Sequence, residues 1–303
     1  MVWGQSSEMK SLTEVVAYLD DRFHRSSYQP DMPFSVLVPE VYGLDGRQAE
    51  AELDQQFFPH CNGLMLSSSR DVRYIYLAVF LSDEIVQTIT KREAVGEALI
   101  FTHHPLDMET SGRGFLPLSR ESIAALRQHG LSVYSLHNPL DQDRFISTNR
   151  AVARLLRLRA LRSFTPNGII GHLPQPVSAE RFLTMVKESL DMPSINSIMR
   201  TDTVRTVALI AGGGSKREFF NLAANEGVDV YLTGTYDNQI QNEVAARHRQ
   251  ELQQFLEHNH TLSFVEASHY ATEAPVLTDD IAQLCENELR LPAIFIPQAD
   301  CWH

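Results

Sequence analysis

Cysteine is scarce and unpatterned in this chain: Cys61, Cys285 and Cys301 are all it has, and none forms a CxxC pair. That spacing builds neither a thiolate cage for zinc nor a disulfide framework, and it fits a reducing compartment. Met1 to Lys10 lack the apolar core of a secretory signal, and the longest apolar run, Tyr74 to Leu81, is too short to span a bilayer. The expectation is a cytoplasmic protein with no membrane partner. Bases are in deficit, 26 against 38 acids, giving a formal charge of -12. A broad nucleic-acid surface needs clustered Lys and Arg and is not expected, while a small phosphorylated ligand held through a metal stays open. The phosphate loop GxxxxGK[ST], the dinucleotide motif GxGxxG and the GxSxG nucleophile elbow do not occur.

What is present is an ordinary globular composition, 43% hydrophobic and 21% charged, over 303 residues. That length has room for two domains. Ser11 and Glu14 have capping-box spacing ahead of a helix to Phe23 with Leu12, Val15, Val16 and Leu19 on one face. The proline-broken segment Ser26 to Pro59 gives no clear pattern. From Arg73 the chain alternates strands and helices: strand to Leu81, helix capped by Ser82, strand Ala98 to Thr102, helix Ser119 to His129, strand Leu131 to Leu136, helix Ser147 to Leu158. After Thr165 come an apolar stretch Gly168 to Leu173 interrupted by Pro174 and Pro176, and a helix Ser178 to Leu190. Then follow a strand Val204 to Ala211, a helix to Glu226, a strand Val228 to Leu232, a helix Asn238 to Asn259 and a strand Leu262 to Ala267. A helix to about Leu289 and a last short strand, Ala293 to Pro297, close the chain. Such alternation implies right-handed crossovers and an α/β fold with largely parallel sheets. Two α/β domains are expected, one from residues 1–160 plus 262–303 and one from 161–261.

The strand Ala98 to Phe101 runs into Thr102-His103-His104-Pro105. Pro105 forces His104 to extended geometry and stops further pairing, so two imidazoles are expected at a strand tip, held but not covered. The next strand ends at His137-Asn138-Pro139-Leu140-Asp141, where Pro139 favours a turn over a helix. A later strand ends at His269-Tyr270-Ala271-Thr272-Glu273, whose i,i+4 spacing stacks His269 and Glu273 on one helix face. Each cluster has a plain alternative: a polar strand edge, a cap, a helical ion pair. Together they bring four histidines and two carboxylates to three strand ends, the ligand-binding edge of such sheets. A structural zinc takes four ligands, usually with cysteine. Six ligands without thiolate suit two divalent ions with open positions, zinc, iron or manganese. The Gly212-Gly213-Gly214-Ser215 loop with Lys216 reads either as a tight strand-to-helix turn or as a backbone phosphate cradle. His24, His60, His172, His248, His258, His260 and His303 have no partner spacing.

Phe101 to Leu106, Tyr134 to Asp141, Ala211 to Ser215, Thr233-Gly234 and His269 to Glu273 occur in an order and spacing that resembles the Nif-three-like family. These are dinuclear-metal proteins related to the Ngg-interacting factor, and some bacterial members carry the name type-two GTP cyclohydrolase I. The resemblance begins near Asn62-Gly63-Leu64. It implies two α/β domains, a two-metal site in a cleft and a toroidal homohexamer. It also implies His103, His104, Asp141, His269 and Glu273 as ligands with a carboxylate bridging, and His137 lining the site. The chain departs from the family pattern at four places: Asn138 for a Thr, Phe80 for an Asp, Ser268 for a Gly and Thr235 for an acid. The reading that follows is a dinuclear metal-dependent hydrolase on a small-molecule substrate, a nucleotide being the family's candidate. His137 would serve in proton transfer or substrate contact, or as a hydrogen-bond donor to Asp141. The alternative is a metal-loaded hexameric scaffold or regulatory partner protein.

Overall fold

The computed structural model of the chain describes residues 9–38, 46–92, 96–108, 114–236 and 243–299. They form two compact units, one from residues up to 108 with 114–143 and 277–299, the other from 144–276.

The first unit is a five-stranded sheet in the order Ala293–Phe295, Tyr74–Phe80, Ala98–His104, Leu131–Ser135, Gly63–Leu66. The first four strands are parallel and Gly63–Leu66 is an antiparallel edge. Ala98–His104 and Leu131–Ser135 are buried at every position, which explains why they read as unbroken apolar runs rather than alternating ones. The helices Asp83–Thr90 and Arg120–Gln128 begin where Ser82 and Ser119 accept backbone hydrogen bonds from Ile85 and Ser122, each at 3.1 Å. The helix Leu12–Arg22 starts on the expected capping box of Ser11 and Glu14. The described part of 26–59, without clear pattern in the sequence, is a covering layer. Phe34, Val38, Leu53 and Phe57 enter the core beside Met65 and Ile100.

Register decides where the sheet ends. Phe80 pairs with His104, and Thr102 with Ser135, so strands Tyr74–Phe80 and Ala98–His104 finish at one level and Leu131–Ser135 two residues short of it. Strand Ala98–His104 runs through both histidines, and His103 and His104 are 0% and 8% exposed. They are therefore covered, contrary to expectation, because the strand does not stop before them.

The second unit is a six-stranded mixed sheet in the order Asn196–Ile198, Ser263–Glu266, Val230–Thr235, Thr203–Gly213, Gly168–Ser178, Arg159–Thr165. Its three central strands in that order from Ser263–Glu266 are parallel. Val207 and Leu209 pack into one apolar layer and Ala208 and Ile210 into another, as period-two alternation requires of a sheet covered on both faces. Pro174 and Pro176 do not interrupt the strand. They lie where its register against Thr203–Gly213 shifts between His172 and Val177, a place that needs no ladder donor. The long helix is described from Glu243 to His258, and residues 238–242 of its expected span lie outside the described residues. After Pro275 the helical path continues through π turns at Val276–Ile281 and Cys285–Leu289 rather than as a regular helix. Units change at 143/144 and 276/277, where 160/161 and 261/262 were expected. The helix Thr148–Leu155 packs with Leu158 and Val207, and Ser263–Glu266 is a strand of the second sheet. No helix among the described residues is long and apolar enough to cross a membrane. Cys61 and Cys285 are free, and burial pushes their thiols up to about 11 and about 12.

Asp107 pairs with Leu116 in a small ribbon, and its Oδ1 accepts from the Met108 amide at 2.9 Å. Burial, with Asp83 and Glu84 nearby, pushes its carboxyl up to about 6. The folded state therefore holds this proton more tightly than the unfolded chain, and stability falls as pH rises through the interval from roughly 4 to 6. Asp107→Asn keeps the acceptor and loses the charge. Denaturant titrations should find it about 1–2 kcal/mol more stable than wild type at pH 7.5, after allowance for solvent screening, with the gap closing by about pH 4. Equal stability gaps at both pH values would contradict this.

Candidate metal centre

In the first unit the side chains gather where the parallel strands end. His103, His104 and His137 form a triangle with ring centroids 4.5, 5.0 and 4.8 Å apart. Each offers a ring nitrogen within 4.8 Å of the others, a grouping that could hold a metal ion. His103 shows the fit most directly. Its Nδ1 lies 2.9 Å from the carbonyl of Leu136. A carbonyl only accepts, so Nδ1 carries the hydrogen and Nε2 is left with its lone pair, the tautomer a cation requires. That nitrogen lies 3.5 Å from Asp141 Oδ1, whose other oxygen is 3.7 Å from His137 Nε2. His104 is held differently, its ring stacked on Phe80 with centroids 4.6 Å apart and planes 12° from parallel. The donor set of neutral imidazole plus carboxylate suits zinc, iron or manganese.

Asn138–Asp141 is one helical turn, not the expected non-helical turn. Pro139 falls at the start of that turn, where a missing N–H costs nothing. The turn puts His137 and Asp141 on the same side. His137 is anchored through its backbone, which donates to Asn62 Oδ1 at 2.7 Å. Its Nδ1 lies 3.3 Å from Asp31 Oδ2. Asp31 also accepts from Asn62 Nδ2 at 2.6 Å and from Asn138 Nδ2. Burial disfavours charge on both Asp31 and His137, but their hydrogen bond and mutual attraction outweigh it. Asp31 is held below the ordinary carboxylate range, and His137 above the ordinary histidine value, with Asp141 adding to the latter. Asp31 and Asn62 were missed as site residues. Asp31 lies in the segment without pattern, and only its acidic character between two prolines could have drawn notice. Asn138 acquires a role here, since its amide reaches Asp31.

In the second unit the pair His269 and Glu273 opens the helix His269–Pro275, with Nε2 and Oε1 3.1 Å apart and Glu273 2% exposed. Ser268 caps the helix by accepting from the Ala271 amide at 2.9 Å. The glycine-rich stretch belongs to this pair. Gly212 has φ +67°, donates to Thr272 Oγ1 at 2.9 Å, and lies against Glu273. A Cβ there would collide with the Glu273 carboxylate and come within 2.9 Å of His269 Nε2. A Cβ on Gly234 would come within 2.6 Å of the Gly212 carbonyl. Two glycines of the sequence motifs are thus needed so that two strand ends can approach the His269–Glu273 turn. This close approach accounts for Gly212 without a phosphate cradle. Among the unassigned histidines, His172 Nδ1 meets Thr206 Oγ1 and His248 Nδ1 meets Ser215 Oγ, each at 3.2 Å.

Gly212 and its neighbour make a paired test. Gly212→Ala should destabilise the protein by about 1–3 kcal/mol, from the left-handed backbone and the clash together. Gly213→Ala, whose nearest contact would be His269 Cε1 at 3.8 Å, should melt close to wild type. Similar melting temperatures for the two variants would refute this account.

The Duf34/NIF3 (NGG1p interacting factor 3) family profile matches residues 51–301. A Pasteurella multocida protein named GTP cyclohydrolase 1 type 2 homolog is 24% identical over 217 residues, 70% of this chain and 79% of its own length. A Pseudomonas aeruginosa protein of the same name is 24% identical over 244 residues, 79% and 87% of the two chains. Among solved structures, protein ybgI, described as of unknown function, superposes with a TM-score of 0.70 at 19% identity, covering 96% of this chain and all of its own. A Bacillus cereus protein related to NIF3 superposes at 0.64 and 14% identity, covering 97% and 98%. These structures share the fold, and the profile spans most of the sequence: the chain belongs to the Duf34/NIF3 family.

Proposed function

We propose that this protein is a dinuclear metal-dependent hydrolase of a small, phosphorylated substrate, a nucleotide of the GTP kind being the first to test. The observation that carries the reading is the trio of His103, His104 and His137, the first two buried, with His103 fixed by the Leu136 carbonyl in the tautomer that presents Nε2. In this reading His103, His104, Asp141, His269 and Glu273 are ligands of two divalent cations per chain. The name shared by the Pasteurella and Pseudomonas relatives supports the choice of GTP as a probe. When bound, such ions would supply Lewis acidity, activating a water and stabilising charge as it develops.

The chain's own groups divide the remaining work. Leu136 O orients His103, and the Phe80 ring holds His104 flat. Asp31 keeps the proton of His137 on Nδ1, so that Nε2 faces Asp141 and can exchange a proton on the substrate side. His137 is therefore assigned to proton transfer, with its side chain 33% exposed where its neighbours are closed. A homohexamer and a cytoplasmic location accompany the reading, as the family resemblance and the unpatterned cysteines imply.

Elemental analysis of metal-replete protein should find two ions per chain. Glu273→Gln, nearly isosteric at this buried position, should lose metal without unfolding by circular dichroism. His137→Ala should retain metal and lose turnover on GTP or phosphoesters by roughly 10²–10⁴-fold, the usual worth of a positioned acid–base. Metal-dependent turnover absent from the wild type across that panel would sink the enzyme reading and leave a metal-bound scaffold. Light scattering at micromolar concentration should give six times the 34.2 kDa chain mass. A monomer would exclude the hexamer.

A further inference from the structure

Between Arg144 and Ala179 the sequence carries six arginines and no Asp or Glu, in a chain whose formal charge is -12. The fold gathers four of them. Arg150, Arg154, Arg157 and Arg159 line one open cavity of about 460 Å³ with Leu158, Leu161 and Phe145, and no carboxylate is among the lining residues. Phe145 is 78% exposed, the most exposed large apolar side chain among the described residues. The cavity lies wholly within the second unit and involves neither the imidazole trio nor the His269–Glu273 pair.

The backbone shows that this arrangement runs against local preference. Arg150 and Arg154 lie four apart on the helix Thr148–Leu155 and share a face. The helix ends in a Schellman motif. The Arg157 amide donates to Arg154 O at 3.0 Å and the Leu158 amide to Ala153 O at 2.8 Å. Arg157 occupies the left-handed position of that motif, with φ +56°, where glycine is the residue that adopts it without cost. Leu158, the next residue, is buried and floors the cavity, and Arg159 begins the following strand. Arg157 thus takes a position that glycine would occupy without cost and lies with three other arginines on one concave face.

We propose that this cavity binds a compact polyphosphate carrying a flat ring, of the nucleoside triphosphate class. Guanidinium groups on one concave face can bind the oxygens of such a chain bidentately. The exposed Phe145 ring offers a face for a base to stack on. A compact ligand is favoured over a polymer. The cavity has the dimensions of a small-molecule site, and a long polyanion leaving it would meet the surface of an acidic protein. The site does not depend on the metal reading and would stand if that reading failed.

The test is calorimetric titration of the full chain, as purified, with inorganic tripolyphosphate, GTP and a single-stranded oligothymidylate. One tripolyphosphate or GTP should bind per cavity, more weakly as salt rises. Arg157→Gly should weaken both by about tenfold while metal content and melting temperature are not lowered, since glycine suits that backbone. Phe145→Ser should weaken GTP and spare tripolyphosphate. Absence of tripolyphosphate binding, or Arg157→Gly binding like wild type, would overturn the proposal. So would tighter binding of the oligonucleotide than of GTP, which would mark a single-strand surface. A changed mass for Arg157→Gly by light scattering would overturn it too, by making the cavity a contact between copies of the chain.

Discussion

A buried imidazole must have its ring hydrogen accepted, and that requirement organises the first unit. His103 has no exposure, so its N–H cannot be left to water. The Leu136 carbonyl takes it, which is possible because Leu136 is the first residue past the neighbouring parallel strand, Leu131–Ser135. Strand register, tautomer and ligand direction are thus one constraint. Shifting the pairing of Thr102 with Ser135 by one residue would turn His103 to the opposite face of the sheet. The same register sets Phe80 opposite His104 and delivers His137 just beyond Leu136, so His137 joins the adjacent pair His103 and His104 from a separate stretch of the chain.

The second unit solves a different problem, the placement of a carboxylate at 2% exposure beside a histidine. It does so by thinning the backbone around it. Gly212 yields room to Glu273, Gly234 yields room to the Gly212 carbonyl, and Thr272 and Thr233 hydroxyls fill the remaining polar demand at 2.9 and 3.2 Å. Each hydroxyl satisfies a backbone group that the approach would otherwise leave without a partner. The separate sequence stretches Ala211 to Ser215, Thr233-Gly234 and His269 to Glu273 are one packing arrangement, which is why they occur together.

What was legible in the sequence was whatever local chemistry decides. Ser11, Ser82, Ser119, Ser147 and Ser178 each cap the helix they precede, because a cap is settled within four residues. The clusters at His103, His137 and His269 were visible because apolar runs point at them. Three things were not legible, each for a non-local reason. Asp31 reaches His137 only through the fold, from a segment whose structure comes from burying Phe34 and Phe57 against strands far along the chain. Pro174 and Pro176 read as an interruption, because a register shift that tolerates them is a property of two strands and not of one. The covering of His103 and His104 depends on a strand continuing up to a proline, and Pro105 constrains its predecessor to the extended geometry that continuation needs.

The departure at Phe80 decides how His104 is held. Where the resemblance leads one to expect an aspartate, this chain places a ring face to face with His104. The strand end is clamped at the same residue by Gln298, whose amide accepts from Phe80 N and donates to Phe80 O, both at 2.9 Å. That side-chain amide mimics a neighbouring strand for one residue, so Phe80 has little freedom to rotate away. Stacking fixes the plane of the imidazole without setting its tautomer, whereas a carboxylate would have fixed the tautomer as well and added a negative charge. Of the carboxylates in the first unit, Asp31 lies beside His137, while Asp141 is shared, 3.5 Å from His103 and 3.7 Å from His137. Asp31 is itself held by Asn62 and by Asn138, another of the positions where the chain departs from the family pattern. The departures at Phe80 and Asn138 thus act on different imidazoles: Phe80 fixes the plane of His104, and Asn138 helps fasten Asp31 behind His137.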